Sequence, residues 1–74
     1  MENFITNLIN QFDPTPTEEV TEDTNFRHIE NYDSVTALSI IAMIEDEYDV
    51  NLRFADIKDC VTVGDLFNLI KSKQ

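Results

Sequence analysis

Tyr32-Asp33-Ser34-Val35, with the run Thr36-Ala37-Leu38-Ser39-Ile40-Ile41-Ala42-Met43-Ile44-Glu45-Asp46-Glu47-Tyr48 behind it, is the stretch whose reading decides the fold. Asp and Ser are both strong helix N-caps, so a helix begins at Asp33 or Ser34 and runs to Tyr48. Ala37, Ile40, Ile41, Ile44 and Tyr48 recur at helical spacing and make one broad apolar face. Val35, Leu38 and Ala42 make a second, weaker strip beside Ser39 and Asp46. A helix apolar on more than one side is packed from several directions or offers surface to a partner, and Leu38 fits either reading. A phosphate diester on the Ser34 hydroxyl would meet the positive end of the helix dipole, where it costs little.

Upstream, Met1, Phe4, Ile5, Leu8, Ile9 and Phe12 follow the i, i+3, i+4, i+7 template of an amphipathic helix. Asp13-Pro14-Thr15-Pro16 ends it, since each proline lacks a backbone donor and disfavours helix in the residue before it. The polar face of this helix carries no Lys or Arg, which favours core packing over a membrane surface. From Thr17 to Asn31 the chain is polar and acidic, and reads as a long loop with a helical turn after Thr17, pinned by Phe26 and Ile29. His28, alone in that loop, reads as a solvated residue rather than a catalyst.

Downstream, Glu45, Asp46, Glu47 and Asp49 crowd the C-terminal end of the central helix, where carboxylates oppose the dipole at ~0.3–1 kcal/mol each. They are either a plain solvated face or a surface for basic partners. Val50-Asn51-Leu52-Arg53-Phe54 has extended or turn character, followed by a short helix over Ala55 to Asp59. Thr62-Val63-Gly64-Asp65 has capping-box spacing and starts a last helix with a stripe of Val63, Leu66, Phe67 and Ile70. Lys71 and Lys73 suit its C-terminal end, and Cys60 and Val61 are expected to pack against the bundle. The fold class is all-α: a small four-helix bundle, three main helices and one short one, with a long first loop.

Length and charge bound the function. The 74 residues allow one domain, 1–74, burying only ~60% of the surface of its unfolded chain. A large enclosed active site has no room, which counts against most enzymes. Fifteen Asp and Glu against 5 Lys and Arg give a net charge of −10, a surface that repels nucleic acid and attracts proteins with basic patches. Cys60, the only cysteine, can form neither an internal disulfide nor a cysteine metal cluster. No signal peptide and no run of ~20 apolar residues is present, so the expected location is the cytoplasm, without membrane insertion and as a monomer.

Constellations for catalysis are missing. Gly64 is the only glycine, so no phosphate loop exists, and one His with one Cys gives poor support for zinc or a Cys–His pair. Asp46 to Asp56 lacks the alternating oxygen ligands and central glycine of an EF-hand, which leaves only loose divalent-cation stabilisation. A hydrolytic role for Ser34 would need a base, an orienting carboxylate and an oxyanion hole at recognisable spacing, and none is set out. No catalytic residue and no metal ligand is therefore expected.

Asp33-Ser34-Val35 at the head of an apolar helix, then Ile41-Ala42-Met43-Ile44-Glu45-Asp46-Glu47-Tyr48-Asp49-Val50, then Thr62-Val63-Gly64-Asp65-Leu66, resembles the acyl carrier proteins. The likeness runs from about Phe26 to Ile70, and the N-terminal helix fits it too. The resemblance implies a non-enzymatic four-helix bundle in which a phosphopantetheinyl transferase, drawing on coenzyme A, attaches 4′-phosphopantetheine to Ser34 within its Asp33-Ser34 motif. Acyl groups would then ride on the arm as thioesters. It also implies a docking face for acyl-loading and acyl-transferring enzymes with basic patches, made of Val35, Thr36, Ser39, Ala42, Glu45, Asp46 and Glu47. Ile40, Ile41, Ile44, Phe67 and Leu69 are expected to border a thin core that could part to shelter a short acyl chain.

Differences from the common pattern cluster near the serine. Tyr32 stands where typical fatty-acid carriers have a small residue after Leu-Gly, and no Leu-Gly precedes it. Thr36 and Ser39 stand where acids are frequent, and Arg53-Phe54 replaces a proline-acid helix start. The aromatic residue before Asp-Ser resembles a divergent branch of stand-alone bacterial carriers. A specialised pathway, rather than housekeeping fatty-acid elongation, is the expectation. A peptidyl or aminoacyl carrier with the same arm, and an unmodified acidic interaction domain in which Ser34 is only an N-cap, are the rival readings.

Overall fold

In the computed structural model, which describes residues 2–74, the order is α1 (Glu2–Ile9), a 3-10 turn (Phe26–His28), α2 (Ser34–Tyr48), α3 (Phe54–Lys58) and α4 (Val63–Lys73). Four helices and no strand occur among the described residues, so the all-α expectation holds. Among the described residues the one backbone pairing of β type is an isolated bridge between Asn25 and Thr62.

α1 is shorter than its apolar stripe. It closes at Ile9, and single turns then carry the chain on, with Gln11 N bonded to Leu8 O and Phe12 N to Ile9 O. Phe4, Leu8 and Phe12 are all buried, so the stripe survives the change from helix to turn. Met1, the first member of that stripe, lies outside the described residues.

The loop after α1 is held from both sides. Phe26 and Ile29 are buried, as their spacing predicts. The helical turn, however, forms at Phe26–His28 and not after Thr17. Asn25 causes the shift, since its Oδ1 accepts from Arg27 N at 3.0 Å and starts the turn there. Backbone hydrogen bonds then fasten the loop to the head of α4, from Val63 N to Thr24 O at 2.9 Å and from Gly64 N to Glu22 O at 2.8 Å. These bonds use two of the donors that a helix leaves unpaired at its first turn.

The core is one cluster that draws on every helix. Phe26, Leu8, Ile40, Ile44, Val63, Leu66 and Ile70 are fully enclosed, and Phe4 nearly so. Phe4 lies edge-on to Tyr48 at 5.8 Å between ring centroids and tilted against Phe67 at 5.3 Å. α3 starts one residue earlier than its sequence suggests, at Phe54, with Arg53 N donating to Asp56 Oδ2 at 2.9 Å. Cys60 packs inside as expected, but Val61 does not and stays 46% exposed. Burial raises the Cys60 thiol pKa, and the nearby Asp65, Asp59 and Asp56 carboxylates add to it.

Candidate functional site

The loop Asn31-Tyr32-Asp33 delivers the chain to α2, and three local features fix its course. Asn31 sits in the left-handed region at φ 73°. Asparagine accepts that conformation better than most residues with a Cβ. Asp33 is the N-cap, its Oδ1 accepting from Thr36 N at 2.9 Å. The Thr36 hydroxyl then reaches back to Asn31 O at 3.2 Å. Tyr32 is anchored between Phe12 and Phe26, with ring centroids at 6.3 and 5.9 Å. Burial raises the Tyr32 pKa, against a smaller opposing pull from Arg27.

Ser34 is the first residue of α2 and is exposed. The capping bond comes from Asp33, so the serine hydroxyl is not spent on the cap. The Asp33 carboxyl is held below the usual range, chiefly by the hydrogen bond from Thr36 N. An exposed alcohol at a helix start is a chemically suitable acceptor for a phosphoryl group. The neighbouring carboxylate opposes close docking of that phosphate and favours its staying in solvent.

The other expected site residues separate along α2. Val35, Ser39, Ala42 and Asp46 follow i, i+4, i+7, i+11 spacing and share one face. Val35, Ala42 and Asp46 are exposed and Ser39 is half-buried. Leu38 and Glu45 lie on the adjoining exposed stripe below Ser34. Leu38 is 54% and Val35 69% exposed, which settles Leu38 as surface rather than core. Thr36 is a correction: it is 6% exposed and cannot belong to a docking face. It aligns with Ile40 and Met43 on the inner side of the helix, and its hydroxyl serves the loop. Glu47 is exposed at the far end of this side.

Of the residues expected to border a parting core, Ile40 and Ile44 are enclosed and Phe67 packs on Phe4. Ile41 is half-buried. Leu69 is half-buried against the core and also lines a cleft with Cys60 and Asp65 between α3 and α4.

A cavity of about 540 Å³ opens beside Ser34, lined by Gln11, Asp13, Asn31, Tyr32, Asp33, Val35, Thr36 and Ser39. Gln11 and Asp13 went unnoticed in the sequence, because their part in the site depends on α1 and its trailing turns lying against α2. No group of three or more His, Cys, Asp or Glu side chains among the described residues is placed to hold a metal.

Residues 3–70 match a family described as the phosphopantetheine attachment site. The chain is 30% identical to an acyl carrier protein of Beutenbergia cavernae over 67 residues, 90% of this chain and 82% of that protein. It is 33% identical to an acyl carrier protein of Lactobacillus acidophilus over 57 residues, 77% of this chain and 71% of that one. A capped α2, an exposed serine at its start and a match across nearly the whole chain agree, and the chain belongs to the acyl carrier proteins, non-catalytic carriers with a phosphopantetheine attachment site.

Proposed function

We propose that Ser34 is the residue that receives the arm, with Asp33 presenting it. The observation that carries this reading is the division of labour at the head of α2: Asp33 makes the cap and leaves the exposed Ser34 hydroxyl available. When bound, 4′-phosphopantetheine supplies a thiol on which an acyl group travels as a thioester. The chain itself keeps Ser34 at the surface, holds the loop ahead of it in one shape through Thr36, and offers α2 to partner enzymes.

The docking face in this reading comprises Val35, Ser39, Ala42, Glu45, Asp46 and Glu47, joined by Leu38. Apolar side chains sit near Ser34 and carboxylates at the far end, which suits partners with an apolar contact bordered by Lys or Arg. Family membership implies a phosphopantetheinyl transferase and acyl-processing enzymes among them. No described helix is long and apolar enough to cross a membrane. In this reading the protein is a monomeric one-domain carrier of the cytoplasm, and Tyr32, Thr36 and Ser39 favour a specialised biosynthetic pathway over housekeeping fatty-acid elongation. An aminoacyl or peptidyl cargo would use the same residues.

Intact mass tests the assignment. The apo protein incubated with coenzyme A and a broad-specificity transferase is expected to gain one phosphopantetheine, and Ser34→Ala to gain none. Ser34→Ala should leave stability within ~0.5 kcal/mol, since Asp33 carries the cap. A folded wild-type protein that gains no mass, or a Ser34→Ala variant that still does, overturns the reading.

A further inference from the structure

Tyr32, Thr36 and Ser39, three of the positions near Ser34 at which this chain departs from the common carrier pattern, line a cavity beside the serine together with Asn31. Its volume of about 540 Å³ is that of a small-molecule cleft, typically ~300–1,000 Å³. We propose that this cavity, on the α1 side of α2, is a resting site for the neutral amide-bearing segment of an arm on Ser34; the inference rests on the Ser34 assignment above.

The lining fits that chemistry and not others. Gln11 donates its Nε2 to Asn7 O at 3.0 Å, which leaves its carboxamide oxygen free to accept from an amide N–H. The Ser39 hydroxyl can donate to an amide carbonyl, and the Tyr32 ring with the Val35 side chain offers apolar wall for methyl groups. Asp13 and Asp33 stand at the same cavity and repel anions, so a phosphate remains outside at the start of α2. A long acyl chain is equally ill-matched, because polar side chains make up much of the lining.

Two physical terms favour occupancy. Tyr32 is already held by Phe12 and Phe26, and Thr36 by its bonds to Asn31 and Asp33, so little ordering remains to be done. A group tethered at Ser34 also has an effective concentration in the mM range, enough to populate a site too weak for a free ligand. An arm resting here leaves Leu38 and Glu45, on the neighbouring stripe, open to a partner.

The test compares amide spectra of the full-length apo and modified proteins after intact mass has established the modification. The expected result is a shift at Gln11, including its side-chain amide, and at Ser39, with nuclear Overhauser contacts from the arm's geminal methyls to the Tyr32 ring. Gln11→Ala should return the Ser39 shift towards its apo value while Ser34 is still modified. Shifts confined to residues 33–36, or methyl contacts to Leu38 and Ile41 instead, overturn the resting site and leave the Ser34 assignment standing. A failure to gain mass overturns both.

Discussion

The Thr36 hydroxyl donates to the Asn31 carbonyl at 3.2 Å while the Thr36 amide donates to Asp33 Oδ1 at 2.9 Å, so one residue inside α2 holds both sides of the turn that presents Ser34. Thr36 is buried, on the same stripe of α2 as Ile40. Thr36→Val keeps the side-chain shape and removes the bond to Asn31. Because Asn31 is exposed and water can take over its carbonyl, the expected loss is that of an ordinary hydrogen bond, ~0.5–1.5 kcal/mol. Amide exchange at residues 31–34 should quicken by more than the global loss accounts for, whereas Thr36→Ser should restore protection. Equal protection in Thr36→Val and wild type would show that the loop is fixed by the Tyr32 cluster alone.

Two caps make stability depend on acid. Asp33 accepts from Thr36 N, and Asp65 accepts from Val61 N and Thr62 N at 3.1 Å each. The bonds favour the charged carboxylates and lower both pKa values below the usual 3.8. Folded values below unfolded ones mean that the unfolded chain binds protons first as pH falls. The stabilisation is therefore complete above about pH 3.8 and fades below it, as the folded carboxylates in turn become protonated. Thermal melts of Asp33→Asn and Asp65→Asn should each show a shallower fall in Tm across that window than wild type. An unchanged acid limb in both variants would place the acid sensitivity elsewhere.

What the sequence made legible was local. Thr62-Val63-Gly64-Asp65 forms the reciprocal cap its spacing implies, with Asp65 N donating to Thr62 Oγ1 at 3.1 Å. The apolar stripes of α2 and α4 likewise go inside. What it hid was non-local. The loop before the turn at Phe26–His28 is bonded to the head of α4, a pairing that no periodicity encodes, although the Asn25 cap that starts the turn is a local signal. Thr36 was misplaced on the outer face, although its spacing to Ile40 and Met43 carried the signal of burial. A hydroxyl beside the attachment serine invited a functional reading, and the structural one, a loop clamp, needs the conformation of Asn31.

Phe4 joins α1 to the ends of α2 and α4 through ring contacts with Tyr48 and Phe67. It is 1% exposed. Phe4→Ala should cost ~3–5 kcal/mol, a large fraction of the stability of so short a chain. Urea titration should show either a sharply lowered midpoint or a chain already unfolded in water. A loss below ~1 kcal/mol would mean that Tyr48 and Phe67 collapse into the space.

Gly64 opposes two effects at one atom. A Cβ there would lie 3.2 Å from Glu22 O, the same oxygen that accepts the Gly64 amide at 2.8 Å. The backbone of Gly64 is not left-handed, so alanine fits the helix and gains up to ~0.8–1 kcal/mol in propensity. Against that gain, the Glu22 carbonyl must move by a few tenths of an ångström. Glu22 is exposed and belongs to no helix, but its neighbours are tied by Thr24 N to Thr21 O at 3.1 Å, Thr21 N to Thr24 Oγ1 at 2.9 Å and Val63 N to Thr24 O at 2.9 Å, so the yielding falls on the Glu22 carbonyl and its bond to residue 64. Gly64→Ala is therefore expected to raise global stability slightly, by less than the full ~1 kcal/mol, while the amide of residue 64 exchanges faster than in wild type. A net loss above ~1 kcal/mol would instead mean that the loop from Thr21 to Asn25 is rigid, held as firmly as the helix it caps.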